Sequence, residues 1–516
     1  MKKILLLLGI FAGLSSCENS KRFGQRVSEI HVLPHPKHFE KGTKQLRLSG
    51  NSKLCAPQWE VNILLMVFSS EIQKTTGFRL EHLAPAESHQ ADIIFEIDTS
   101  MHQEASIIEI DKTVSVKGGS YVALAGAKST LLQLLEKQDN MLTFPCVKIE
   151  DYPDAAYRGL MIDLARQWHD VPTIKQLIDL AAFYKINFVQ LHFTDYQSYT
   201  LPSKKYPKLS TENRHYNFDD LKELEAYSQM RGVTIIPEID VPGHSSPFVQ
   251  KYPEIFAIKD TLTNPWIINM GKEEVYQALD ELIGEAVSVF KSTPYFHIGG
   301  DEAIFTKVNE DPNVQEYIKK YGIGDDVHEL YRQFLVRINN IVKKHGKQMC
   351  VWEGFGPDGT IQIPKDIIVF EFETNKYLPN ALVEDGYTVV NTSWKPLYVV
   401  NQKKWEPKTI YNWNMWRWEN WWDKVPSFEP IQVDESPLVI GAQMCAWEQP
   451  QQAEIPSLRK RLPAFVERIW NTEEKIPYET LMNRMELLDK RLSLLIEDDR
   501  QDSLLIDYNF AKELDN

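Results

Sequence analysis

From Ala156 onward the chain repeats one rhythm: a short apolar run, a loop, then a segment with apolar residues at helical spacing. The runs fall at 160–163, 188–193, 234–239, 295–298, 348–352, 367–370, 387–390 and 438–441, which is eight. Helical segments at 174–184 and 218–231 follow the first two. Eight strand–helix units close more naturally into a (β/α)8 barrel, the TIM barrel of the α/β class, than they open into a sheet. In such a barrel the chemistry gathers at the carboxyl ends of the strands. The polar residues that end the runs therefore belong together: Asp163, Asp195, Asp240, Asp301, Glu302, Glu353 and the Trp447-Glu448 pair.

A chain of 516 residues exceeds one ordinary domain. Residues 28–152 read as a small α+β domain, with strands at 92–97, 106–110 and 114–116 and helices at 59–75 and 121–135. The barrel then occupies 153–490 and an extension 491–516. A formal net charge of −15 excludes nucleic acid as partner, because phosphate binding needs a basic face. At the N-terminus, Lys2-Lys3 precede an apolar stretch at 4–14 that is too short to span a bilayer. Leu14-Ser15-Ser16-Cys17 then resembles a bacterial lipoprotein cleavage box. On this reading residues 1–17 are a signal segment ending at a lipidated Cys17, residues 18–27 are a tether, and the protein is exported and meets the membrane only through its anchor. A plain secretory signal is the alternative. Cys55, Cys146, Cys350 and Cys445 lack metal-ligand spacing and read as buried free thiols.

Residues 295–302 read Tyr-Phe-His-Ile-Gly-Gly-Asp-Glu. Neighbouring side chains alternate faces within a regular strand, so Asp301 and Glu302 share one pocket only where the strand dissolves into a loop. Gly299 and Gly300 supply that irregularity. Two carboxyls forced together push their pKa values apart, which is an acid/base arrangement.

The string His-x-Gly-Gly-Asp-Glu resembles the signature of the family 20 glycoside hydrolases, the β-N-acetylhexosaminidases. Further segments match in the family's order: Tyr157-Arg158-Gly159-Leu160-Met161-Ile162-Asp163 with Arg166; Leu191-His192-Phe193-Thr194-Asp195; Pro237-Glu238-Ile239-Asp240-Val241-Pro242-Gly243-His244; Ala446-Trp447-Glu448; and Glu467-Arg468-Ile469-Trp470. The resemblance implies an exo-acting hydrolase that removes terminal β-linked N-acetylhexosamine from glycans without a cofactor. The substrate's own acetamido oxygen attacks the anomeric carbon, so no protein nucleophile is needed. Glu302 is then the general acid and base, and Asp301 orients the acetamido N–H and stabilises the oxazolinium. Asp195, His244 and Glu302 are implied as a hydrogen-bonded chain. Arg158 corresponds to the arginine that grips the ring hydroxyls, and Asp240 and Glu448 join it on the substrate. Trp352, Phe372 and Trp447 wall the pocket, and Tyr398 donates to the acetamido oxygen. Asp240 and His244 stand four apart, as zinc ligands can, but Pro242-Gly243 breaks any helix between them and no second histidine falls at ligand spacing, which argues against a metal.

The chain departs from the family pattern at four points. Tyr196 follows Asp195 where a second aspartate is usual, Phe372 replaces a third pocket tryptophan, Val400 replaces an aspartate two residues after Tyr398, and Gln167 replaces a histidine. These changes point to a modified sugar, such as a C6-substituted N-acetylglucosamine. A cluster of tryptophans, Trp394, Trp405, Trp413, Trp416, Trp418, Trp421 and Trp422, reads either as a glycan platform or as a loop packing its own core. Two other functions fit the same residues: a silent glycan-binding lipoprotein, and an endo-acting chitinase-like hydrolase. Retention of both acids speaks against the first, and an enclosed pocket would speak against the second.

Overall fold

The computed structural model describes Phe23–Gly24 and residues 30–496 except 325 and 402. Cys17 and most of the expected tether and C-terminal extension lie outside the described residues. The chain divides into two compact units, one built on Pro36–Tyr152 and one on Leu33–His35 with the chain from Pro153 onward.

In the first unit, the strands His38–Leu48 and Met141–Asp151 pair antiparallel, and Ser106–Ile110, Val114–Gly118, Ile93–Ile97 and Lys53–Cys55 extend the sheet in that order. Val114 and Val116 face inward while Lys117 faces out, the alternation of a sheet covered on one side. The helices Asn62–Thr76 and Tyr121–Leu134 supply that cover. Lys128 on the second reaches Glu71 on the first, with Nζ 2.8 Å from Oε2, in a buried ion pair.

The second unit is the expected barrel. Its strands are β1 (Tyr157–Asp163), β2 (Phe188–His192), β3 (Thr234–Glu238), β4 (Tyr295–His297), β5 (Gln348–Trp352), β6 (Ile368–Glu371), β7 (Thr388–Asn391) and β8 (Val439–Trp447). Each pairs parallel with the next, and Tyr157 to Ile162 of β1 close the circle against Gly441 to Ala446 of β8. The helix Val171–Phe183 starts three residues before the expected 174 because Asp170 caps it, accepting from the Thr173 N–H, with a proline in its first turn. The helix Phe218–Gln229 begins in a capping box between Asn217 and Asp220.

Inside the barrel Tyr157, Met161, Ile236, Ile368 and Phe370 belong to one apolar cluster that continues to Trp352 and Trp447. A polar chain runs alongside it. Tyr157 donates to Gln443 (2.8 Å), Gln443 to Gln190 (2.9 Å), and Gln190 to Glu238 (2.7 Å). Glu238 also accepts from the Trp352 indole at 2.7 Å and lies 2.9 Å from His192 Nδ1 and 3.3 Å from His297 Nδ1. Burial alone would raise the Glu238 carboxyl, but the two imidazoles hold it well below the carboxylate range. The four described cysteines, Cys55, Cys146, Cys350 and Cys445, are buried free thiols, as expected. Among the described residues no helix is long and apolar enough to cross a membrane.

Candidate active site

The acids sit where β4 dissolves. The strand meets β3 at a single pair, Glu238 and His297, and the chain then turns through Gly299 and Gly300, both with positive φ (68° and 101°). A Cβ on Gly299 would lie 1.8 Å from Asp240 Oδ1, so only glycine allows the turn to pass that close to β3's exit. Glu302 itself is held in the left-handed region (φ 46°), and so are His244 (47°) and Glu448 (57°). Three non-glycine residues in this rare conformation meet around one cavity, a concentration of backbone strain typical of functional sites.

The cavity measures about 360 Å³ and is lined by Arg166, His244, Asp301, Glu302, Phe372, Trp394, Tyr398, Val400, Lys403, Trp421, Trp447 and Glu448. Asp301 is buried, and its Oδ1 has no hydrogen-bond partner among the described residues. Burial, reinforced by Asp240, pushes its carboxyl well above the ordinary range. Glu302 has a half-exposed side chain whose Oε2 lies 3.3 Å from His244 Nε2, and that hydrogen bond lowers its pKa. The couple is therefore split, as the sequence implies, but with Asp301 raised and Glu302 lowered. The cause is position: the aspartate is enclosed, while the glutamate faces water beside an imidazole. Burial disfavours the His244 cation, but Asp240 outweighs it and raises the imidazole well above its usual pKa.

The chain of hydrogen bonds differs from the one implied by resemblance. His244 Nδ1 lies 2.6 Å from Asp240 Oδ2 and 3.8 Å from Asp195 Oδ2, so the series runs Asp240–His244–Glu302. Asp240 is correspondingly not a substrate contact. Its second oxygen, Oδ1, accepts from the Gly300 N–H at 3.1 Å, and the residue is fully buried behind His244. Asp195 is one step removed, bound by His192 Nε2 at 2.9 Å and by Arg166 Nη2 at 2.7 Å. Asp240, His244 and Asp301 bring ligand atoms within 4.8 Å of one another, but the first two already hold each other.

Arg158 is not in the pocket. It is the second residue of β1, at the opposite end of the barrel, where its guanidinium donates to the carbonyls of Lys185 (3.1 Å) and Ala155 (2.7 Å) and stacks on Trp470. The pocket arginine is Arg166, three residues beyond the end of β1. Its Nη1 lies 3.2 Å from Asp163, its Nε lies 3.8 Å from Glu448, and its guanidinium stands 4.9 Å from the Trp447 ring. The strand-end rule separates the two arginines, since only Arg166 follows its strand.

Trp447, Phe372 and Tyr398 line the cavity, with the last two rings stacked at 6.1 Å. Trp352 lies one layer deeper, fully buried, its ring 5.8 Å from Trp447 and 6.0 Å from Phe372. It supports the wall instead of forming it, because its indole N–H is drawn down to Glu238. Glu353 secures the loop after Phe372, accepting at 2.8 Å from the N–H groups of Lys376 and Tyr377; burial pushes its pKa to about 7. The tryptophan cluster divides between its two readings. Trp413 and Trp418 are buried, donating to the carbonyls of Arg417 and Glu371, while Trp394 and Trp421 line the cavity. These two answer to the glycan-platform reading, and Val400, the departure noted two residues after Tyr398, joins them; Lys403 was not singled out in the sequence, and all four reach the cavity from the long segment between β7 and β8.

An acidic couple beside a cavity walled by aromatic rings, at the carboxyl ends of a (β/α)8 barrel, defines a glycoside hydrolase. The description of the glycosyl hydrolase family 20 catalytic domain matches residues 156–473, and that of the family's domain 2 matches residues 29–152. The chain belongs to glycosyl hydrolase family 20. It is 28% identical over 505 residues to beta-hexosaminidase 3 of Arabidopsis thaliana, covering 92% of this chain and 89% of that one. It is also 28% identical over 367 residues to a beta-hexosaminidase of Porphyromonas gingivalis, a match that spans 64% of this chain but 47% of the relative. The fold is shared with the crystal structure of the beta-N-acetylhexosaminidase from Bacteroides fragilis NCTC 9343, with a TM-score of 0.78 at 22% identity, covering 94% of this chain and 100% of that one.

Proposed function

We propose that the protein is an exo-acting β-N-acetylhexosaminidase that removes a terminal β-linked N-acetylglucosamine or N-acetylgalactosamine by substrate-assisted, retaining hydrolysis. The observation that carries this reading is the buried, unpartnered acceptor Asp301 Oδ1 beside Glu302 in a small aromatic cavity. Its volume of about 360 Å³ lies at the low end for small-molecule sites, suited to one substituted sugar ring and not to a continuous glycan. Relatives named beta-hexosaminidase lend the same support.

The chemistry follows from the two carboxyls. A bound acetamido N–H donates to Asp301 and favours its ionised form, while the sugar excludes water from Glu302 and favours its protonated form. Binding therefore moves the couple's single proton to the residue that must use it. Glu302 gives that proton to the glycosidic oxygen as the bond to C1 breaks, and the acetamido carbonyl oxygen closes on C1 to form an oxazolinium. Asp301 balances its positive charge. Water then attacks C1, returning a proton to Glu302 and reopening the ring with retained configuration. Arg166, fixed by Asp163 and Asp195, is placed to hold ring hydroxyls.

The substitutions at Val400, Phe372 and Tyr196 support a preference for a modified sugar, and the Leu14–Cys17 sequence supports an exported, lipid-anchored protein. Mass spectrometry of the mature N-terminus tests the anchor: a diacylated Cys17 is expected, and an unmodified one refutes it. The hydrolytic reading is tested with an aryl N-acetyl-β-glucosaminide. Asp301→Asn should lower kcat by about 10²–10³-fold, the usual effect of losing one preorganised transition-state contact. Glu302→Gln should fall similarly, and less for a good leaving group that needs no proton. Rates for both variants equal to that of the unsubstituted enzyme would overturn the assignment.

A further inference from the structure

The turn that delivers the acid couple is held from three sides. Gly299 and Gly300 leave the strand with positive φ, so their buried peptide groups must find partners outside any strand ladder. The Trp352 N–H of β5 donates to the Gly299 carbonyl at 2.8 Å, and the Gly300 N–H donates to Asp240 Oδ1, beyond β3, at 3.1 Å. The Gly300 carbonyl, which joins directly to Asp301, accepts from the hydroxyl of Tyr331. Tyr331 is buried and sits on the helix Val327–Lys344.

The same ring reaches the far side of the couple. It lies 5.6 Å from the ring of Phe305, three residues after Glu302, and His328 of the same helix meets Phe305 edge-on at 5.3 Å. The helix is itself fixed to the loop after β5. Glu329 accepts from the N–H groups of Thr360 (2.6 Å) and Ile361 (2.8 Å), and Arg332 donates to the carbonyls of Ile361 (2.6 Å) and Gly356 (2.8 Å). The Tyr331 hydroxyl is thus presented from a rigid base, and burial pushes the phenol well above its usual pKa, so it keeps its proton and stays a donor. Gly354 closes the same spot from β5: a Cβ there would lie 2.6 Å from the Gly300 carbonyl oxygen and 3.2 Å from both Asp301 Cα and the Tyr331 hydroxyl.

Glycine restricts its own backbone little, so the Gly300–Asp301 peptide is held in one orientation only by what bonds to it. Without the phenol its carbonyl is a buried acceptor with no donor, and the peptide tilts to find one, carrying the carboxyl with it. We propose that Tyr331 is a positioning residue for Asp301: by holding that peptide it sets the direction of the carboxyl that meets the sugar's acetamido group. This rests on the hexosaminidase reading above and extends the working parts of the site to a helix outside the strand ends.

The test is a double-substitution cycle read with an aryl N-acetyl-β-glucosaminide. Tyr331→Phe keeps the ring and removes the donor. It should lower kcat by about tenfold and change KM by less than about twofold, because a carboxyl displaced by a fraction of an ångström forfeits part of the ~10²-fold that ~1 Å costs. In the Asp301→Asn background the same substitution should lower kcat by less than about twofold, since the group it positions is already gone. A merely structural role would lower kcat by one factor in both backgrounds. If Tyr331→Phe does not fold, Gly354→Ala, which crowds the same carbonyl from the other side, decides by the same comparison. Equal losses in both backgrounds, a loss confined to KM, or an unchanged kcat overturns the inference and leaves the hydrolase reading intact. Failure of wild type to cleave the substrate, or an Asp301→Asn variant as fast as wild type, overturns the hydrolase reading itself, and the inference with it.

Discussion

Replacing His244 with a neutral side chain should move the pH dependence of the reaction toward alkali. Asparagine is the substitution of choice, because residue 244 has a φ of 47°, a conformation asparagine tolerates well. The imidazole holds both members of the acid couple down: it lowers Glu302 through their hydrogen bond and its charge, and its charge also opposes the burial that raises Asp301. Activity requires that the couple hold one proton. Both limbs of the kcat/KM profile therefore belong to the pair, and both should rise when the cation is removed. At the 3.3 Å separation of His244 Nε2 and Glu302 Oε2, Coulomb's law gives about 1.3 kcal/mol in water and about 5 kcal/mol at an effective dielectric constant of 20. The Glu302 side chain is 55% exposed, which places the interaction near the aqueous value. The basic limb should thus shift upward by about 1 pH unit, at about 1.4 kcal/mol per unit. The assay is kcat/KM for an unsubstituted aryl N-acetyl-β-glucosaminide from acid to mildly alkaline pH, with thermal unfolding as a control for integrity. A profile that loses height without moving, or that moves toward acid, would refute the electrostatic role given to His244.

Three further perturbations test the scaffold. Gly299→Ala places a Cβ 1.8 Å from Asp240 Oδ1 at a φ of +68°, so activity should fall by about 10²-fold, because a misplacement of about 1 Å carries that cost; Gly77→Ala, at a φ of +82° with open space around it, should cost only about 1–2 kcal/mol of backbone strain in denaturant titration. Lys128→Met strands Glu71 in the first unit and should destabilise it by about 3–5 kcal/mol in the same titration, with most of the loss recovered in the Lys128→Met, Glu71→Gln double variant.

The barrel was legible because parallel strands enclosed by helices read as short apolar runs, and each run overlaps its strand, although β8 continues six residues beyond the run at 438–441. The long strands His38–Leu48 and Met141–Asp151 were not legible. The first exposes seven consecutive positions and the second buries six in a row, so neither shows along its whole length the alternation that marks a strand. In the site, the rule that chemistry follows strand ends located Asp301 and Glu302, whereas His244 came from the family resemblance. The same rule, applied to both arginines of one motif, separates Arg166 from Arg158. Whether Asp195 or Asp240 takes the His244 proton was beyond the sequence, since both follow adjacent strands and a difference of 1.2 Å decides it, 2.6 Å against 3.8 Å. The tryptophan cluster left two readings open, and Lys403 was hidden altogether, because Trp394, Lys403 and Trp421 reach the cavity through long-range packing that local periodicity does not encode.

The acid couple and the outer wall come from different stretches of chain. Asp301 and Glu302 leave β4, braced by a network buried down the barrel axis, whereas Tyr398, Val400, Lys403 and Trp421 belong to the excursion between β7 and β8. The two can consequently diverge under separate selection: rewriting one surface excursion would reshape the mouth of the cavity while the acid couple and its buried bracing are inherited untouched.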